Sequence, residues 1–184
     1  MAHKKFNKYK IEGDRTIIYV TNRLKEIMEC YIDTKNLQKL LDMGYAWHTY
    51  WNKVNNTYYA RCSRYLGAIN GKSKFEMIYM HHFIKPIKKG EVVDHRDNNT
   101  LNNCEDNLRI VTQIENTKNR TTKNKNNTSG YRNVTWDKSA DMWLVQISIN
   151  KKNTRMGHFE DVHEAGKFAA KMRAQYYGEY QGNA

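Results

Sequence analysis

No run of apolar residues in this 184-residue chain approaches the roughly 20 needed to cross a bilayer as a helix. No secretory-signal pattern opens it either, so the reading is of an intracellular protein with no membrane partner. Cysteine is scarce. Cys30, Cys62 and Cys104 are odd in number, widely separated and contain no C-x-x-C pair, which excludes a disulfide framework and a four-ligand zinc site from the expectations. Three reduced thiols and no structural zinc are expected. Acid is also in short supply, with 19 Asp+Glu against 31 Lys+Arg, a net charge of +12 and a pI near 9.5. Such an excess of base points to a polyanion, and nucleic acid leads that class. At 39% hydrophobic content the chain can fold, but its length allows at most two or three small modules with modest cores.

Residues 1–75 read as a small α+β module. Thr16–Val20 and Glu26–Ile32 are strand-like, and a helix is expected after Asp33-Thr34, carrying Leu37, Leu40 and Leu41. Asn55-Asn56 and Asn70-Gly71 punctuate aromatic and apolar runs as hairpin turns do. The aromatics Trp47, Tyr50, Trp51, Tyr58 and Tyr59 offer faces for stacking on bases, but their alternation beside turns favours cross-strand packing.

The chemistry concentrates further on. Glu91-Val92-Val93-Asp94-His95-Arg96-Asp97 sets a carboxylate and an imidazole side by side at the end of an apolar run. Asn107-Leu108-Arg109-Ile110-Val111-Thr112 and then Asn116 follow at intervals suited to a second strand and a helix. Asp94 and the Asn116 amide supply oxygen ligands of the kind Mg²⁺ prefers, leaving positions for water and phosphate. His95 can deprotonate a water near neutral pH. Between the strands lies a polar loop, Arg96–Glu105, rich in Asp97, Asn98, Asn99, Asn102 and Asn103, which bond to their own backbone and tolerate turns.

D-H-R-D…L-N-N…D-N-L-R-I-V-T…N resembles the HNH nucleases, specifically the phage-type homing endonucleases, across residues 76–120. That resemblance implies a ββα-metal core in which Asp94 and Asn116 bind the metal, His95 is the general base and Asn107 is the middle asparagine, orienting His95 or bracing the loop. It further implies Mg²⁺, with Mn²⁺ as a substitute, and the cytoplasm of a bacterial host if the chain is phage-encoded. His81-His82 occupies the family's apolar-His-Arg-apolar lead-in, with His82 in place of the usual Arg. For His81 both a phosphate-contacting or supporting role and a satisfied structural role stay open.

From Thr117 to Gly130 the composition turns to Lys, Arg, Asn and Thr, the mark of a linker, placed at 121–130. Nine Lys and Arg stand against two acidic residues between 117 and 155. Lys118, Arg120, Lys123 and Lys125 are candidates to track phosphates. Residues 131–184 then show three strands, Tyr131–Trp136, Met142–Ile149 and Thr154–Phe159, and a helix over Val162–Tyr177. That helix is capped by Asp161 with Glu164 three residues on, and closed at Gly178. Ala165, Phe168, Ala169, Met172 and Tyr176 share one face of it. Trp143, Val145 and Ile147 alternate with Leu144, Gln146 and Ser148, so the sheet has one buried and one more polar face, with Trp143 on the buried one.

S-G-Y-R-N-V-T-W-D…W-L-V-Q-I…R-M-G-H-F…E-A-G-K-F-A-A, within 129–180, resembles the ethylene-response-factor-like (Apetala-type) DNA-binding domain found also at the carboxyl end of phage HNH endonucleases. The resemblance implies a sheet face in the major groove, with contacts from Arg132, Gln146, Ser148, Arg155 and, more weakly, Trp136. The chain as a whole is expected to be an α+β, metal-dependent, site-selective endonuclease of duplex DNA. No obligate protein partner is evident. The competing readings are a DNA-binding regulator with a degenerate nuclease module, and an RNA-directed protein, for which no single-strand platform motif is present.

Overall fold

Alternating β-branched and aromatic residues near the start of the chain form a meander of β1 (Tyr9–Glu12), β2 (Arg15–Thr21) and β3 (Ile27–Asp33). The computed structural model describes residues 6–119 and 126–182. A turn of 3₁₀ helix leads into α1 (Leu37–Asp42), whose Leu37 and Leu40 are buried. Then come β4 (His48–Asn52), β5 (Thr57–Ile69), β6 (Lys72–Tyr79) and the single turn α2 (Met80–Ile84). The Asn70-Gly71 turn joining β5 to β6 has positive φ at both residues (51° and 72°), as the tight hairpin turn requires. The sheet runs β1-β2-β4-β5-β6, with β3 paired to the other side of β2 and one parallel pair, Thr21↔His48, tying β2 to β4.

A second, two-stranded sheet follows, β7 (Glu91–His95) with β8 (Leu108–Thr112), and then the short helix α3 (Gln113–Lys118). The chain divides at Thr112/Gln113 into two compact units. In the first, one hydrophobic core gathers Val20, Cys30, Ile32, Leu40, Ala60, Cys62 and Met80 with Val93, Leu101 and Leu108 of the hairpin and its loop. Each fully buried aliphatic side chain there contributes about 1.5–3 kcal/mol. The loop between β7 and β8 is also tied to β3 through its backbone. Tyr31 N–H donates to Leu101 at 2.8 Å, and Asn103 N–H donates to the Tyr31 carbonyl at 2.7 Å. A 12-residue connection is thus held as firmly as a strand.

The second unit carries an antiparallel sheet of β9 (Val134–Asp137), β10 (Met142–Ile149) and β11 (Lys152–Phe159), with α4 (Val162–Tyr177) on one face. The first strand begins three residues later than expected. Asn133 takes φ 69°, and the Ser129 hydroxyl accepts from the Tyr131 N–H, so 129–133 is a turn. Asp161 caps α4 by accepting from the Glu164 N–H at 2.8 Å. Glycine at 166 is required by packing, since a Cβ there would lie 2.4 Å from the Tyr131 ring. Val134, Val145, Ala165 and Ala169 form the core, with Trp143 packed against them, while Ile147 and Met172 continue it.

Candidate active site

β7 ends in the two residues that matter most. Strand alternation points Asp94 and His95 to opposite sides, and antiparallel pairing sets Arg109 of β8 opposite Asp94. Arg109 Nε donates to Asp94 Oδ2 at 2.8 Å, with both side chains below a tenth exposed. A buried charged pair of this kind is fixed in orientation, because loss of either partner strands the other in a low dielectric.

His95 is 4% exposed. Its ring lies 5.3 Å from that of His81, nearly perpendicular, and 6.3 Å from Tyr59. Burial lowers its pKa. The Asn103 side chain and the charges of Asp97 and Asp94 act in the opposite direction, without overturning the net decrease. The imidazole is therefore neutral at pH 7, the form a general base needs. Behind it, His81 is 5% exposed, and its Nδ1 has no hydrogen-bond partner among the described residues. Burial first, then the neighbouring His95 and His82, push His81 down to about 2. Tyr59 and Tyr79 complete this aromatic wall at 5.4 and 5.6 Å from the His81 ring.

Asn107 faces the loop. Its amide donates to Asp97 Oδ1 (2.9 Å) and to the Asn102 carbonyl (2.8 Å), and its oxygen accepts from the Asp97 N–H (3.0 Å). Of the two tasks open to it, bracing the loop is the one these contacts perform. Asp97 also accepts from the Asn99 N–H and the Asn102 amide, closing the turn that follows His95.

The sequence-derived set divides between the two units. Asp94, His95 and Asn107 converge in the first; Asn116 is half-buried on α3 in the second. Among the described residues no three His, Cys, Asp or Glu side chains form a ready cation cage. What the end of β7 offers is one carboxylate, Asp94, and the His95 imidazole that follows it in sequence. That donor chemistry fits a hard divalent ion that takes most of its ligands from water and phosphate.

In the second unit, Lys118 sets its Nζ 5.1 Å over the Tyr177 ring, and Arg132 donates to the carbonyls of Lys118 (2.6 Å) and Gln181 (3.3 Å). Gln146 and Arg155 are register partners and share the face away from α4, with Ser148 on the same side. A bulge at Met156 lets Met156 and Gly157 both turn toward the helix while keeping Arg155 and His158 on the open face. There Asp137 accepts from His158 at 3.0 Å and lies 4.0 Å from Arg155. Lys118, Arg132, Gln146 and Ser148 line an open groove of about 850 Å³. Trp136 pairs in register with Trp143, 5.0 Å ring to ring, and so belongs to the helix side of the sheet. Arg120, Lys123 and Lys125 lie outside the described residues.

Arg109, Asn103, Tyr59 and the His81–His95 contact are functional candidates that motif reading alone does not supply. Arg109 was within reach, since a buried Arg two positions along β8 has to find an acid on the facing strand. Asn103 and Tyr59 come from elements whose approach to His95 is a matter of tertiary packing.

Residues 78–118 match the HNH endonuclease family. Over 95 residues the chain is 34% identical to Protein 3.8 of Escherichia phage T7, an alignment covering 52% of this chain and 77% of that protein. No solved structure matches the chain. With that coverage the chain belongs to the family of the phage T7 protein, and at residues 78–118 it carries an HNH endonuclease-family domain.

Proposed function

We propose that the protein is a site-selective endonuclease of duplex DNA, of the phage homing type, with His95 as general base. The observation that carries this reading is the end of β7: a neutral, buried imidazole that follows in sequence a carboxylate locked by Arg109, inside the HNH match. Asp94, with the Asn116 amide oxygen that the family resemblance adds, would hold Mg²⁺ or Mn²⁺, whose chemistry is to polarise the phosphodiester and stabilise the departing 3′ oxygen.

The chain's own residues do the rest. His95 takes a proton from a water as its oxygen attacks phosphorus in line with the leaving 3′ oxygen, and the P–O3′ bond breaks. Arg109 keeps the Asp94 carboxylate aimed. Asn107 fixes the turn after His95, so that the base does not drift with its loop. His81 and Tyr59 pack on the imidazole, with Tyr79 behind His81, and this buried setting keeps it unprotonated.

The second unit supplies site preference in this account. Its three strands and helix support the ethylene-response-factor-like reading, with Gln146, Ser148 and Arg155 on the open sheet face reading bases, and Lys118, Arg120, Lys123, Lys125 and Arg132 meeting phosphates. A regulator that only binds DNA needs the same cations but not the buried Asp94–Arg109 pair. Incubation with intron-less duplex target, with and without Mg²⁺, separates the two on denaturing gels. Metal-dependent strand scission at defined positions supports the nuclease; binding without any scission supports the regulator. Structured RNA in a parallel lane tests the substrate class.

A further inference from the structure

We propose that the β5–β6 hairpin is a nucleic-acid-contacting arm that seats duplex DNA beside His95; this rests on reading His95 as the centre of a DNA nuclease. β4 covers β5 only as far as the His48↔Arg61 pair, so from Cys62 to Ile69 the strand has, among the described residues, β6 as its sole pairing partner. Those eight residues make a two-stranded ribbon roughly 25 Å long at about 3.3 Å per residue. A ribbon of that width fits the major groove.

Register sorts the ribbon's side chains into two kinds of surface. On one face stand Tyr65 and Phe75, rings 5.4 Å apart, followed by Met77. With Leu66, displaced by the bulge at Tyr65/Gly67, they are 45–52% exposed. With Ile69 near the tip, opposite Lys72, five large apolar groups left in water on one projecting element mark a binding surface. The other face carries Arg64, Lys72 and Lys74. The whole hairpin from 61 to 79 holds four cations against Glu76 alone, which pairs with Arg64.

The aromatic face leads to the active site. Toward the root it continues through the register partners Arg61 and Tyr79 to Tyr59, and both tyrosines pack on His81. Arg61 rests 4.0 Å over the Tyr50 ring, and its Nε has no hydrogen-bond partner among the described residues. A strand lying against His95 therefore meets Arg61 next and then the ribbon. Cations with aromatics, continuous with a phosphodiester-cutting centre, select a nucleic acid over a second copy of this chain.

Binding is measured on the full chain by fluorescence anisotropy with duplex DNA in EDTA, where cleavage plays no part. Lys72→Ala/Lys74→Ala is expected to lower affinity roughly tenfold at low salt and to reduce the salt slope by about 2. Tyr65→Ser/Phe75→Ser should weaken binding at all salt concentrations while leaving the slope unchanged. All three native cysteines are buried, so Ser73→Cys can carry a photo-crosslinker at the ribbon. It should capture duplex DNA on one side of the cut position. Unchanged affinity and slope in both double variants, or crosslinks only to another copy with Tyr65→Ser/Phe75→Ser turning a dimer to monomer, would overturn the arm. If the parent never cuts DNA yet the lysine variant loses affinity, the nuclease reading falls and the arm stands.

Discussion

Arg109 and Asp94 form a buried ion pair, Nε to Oδ2 at 2.8 Å, across the β7–β8 hairpin. The pair does structural and chemical work at once. It holds β7 to β8 through side chains as well as backbone, and it fixes the direction of the carboxylate that precedes His95 in sequence. Arg109→Leu should therefore cost about 3–5 kcal/mol, because the buried Asp94 carboxylate loses its guanidinium partner. Arg109→Lys should recover part of the stability but less of the cleavage, since an ammonium does not reproduce the planar donor. Denaturant unfolding alongside cleavage rates checks both; equal recovery of the two would remove the orienting role.

Asn107 gives a second test. Asn107→Ala removes two donated bonds and one accepted bond at a buried site, so a loss of about 1–3 kcal/mol and faster hydrogen exchange at the Asp97 amide are expected. Asn107→Asp keeps an oxygen for the Asp97 N–H but opposes the Asp97 carboxylate with a like charge. It should not rescue. Full activity in the Asp variant would show that the bracing contacts are dispensable.

How far the sequence revealed this arrangement depends on the range of the interaction. β7, the loop and β8 were legible as a motif, and β10, α4 and its Asp161 cap from alternation, helical spacing and capping chemistry, all of which act over a few residues. Of the ribbon only its Asn70-Gly71 turn was legible, not its projection beyond β4, and the His81–His95 wall was not. A strand's length beyond its neighbour and the packing of Tyr59 on an imidazole encoded 36 residues later are set by tertiary contacts, which periodicity does not report.

His81 yields a pH prediction. Its folded pKa, about 2, lies below the ordinary imidazole value near 6.5, so the unfolded chain binds a proton that the folded chain refuses. Its penalty is absent above pH 6.5 and grows as pH falls from there toward 2. In denaturant melts between pH 6 and 4, His81→Gln should flatten the pH dependence of stability by up to about 1.4 kcal/mol per pH unit. An unchanged slope would mean that His81 takes up its proton without unfolding.

Gly166 sits in the interior of α4, where alanine ordinarily gains about 1 kcal/mol. Here the added Cβ would fall 2.4 Å from the Tyr131 ring, so Gly166→Ala should instead lower protection of α4 in hydrogen exchange. Pairing it with Tyr131→Ala should reduce the penalty. A stabilised single variant would contradict the close approach.

Whether His95 is the base of a DNA-cutting centre is decided by single-turnover cleavage of duplex target by His95→Ala protein with Mg²⁺. Binding in EDTA should survive the substitution, while the cleavage rate falls about 10²-fold or more; a His95→Ala protein that cuts at the parental rate would contradict that role.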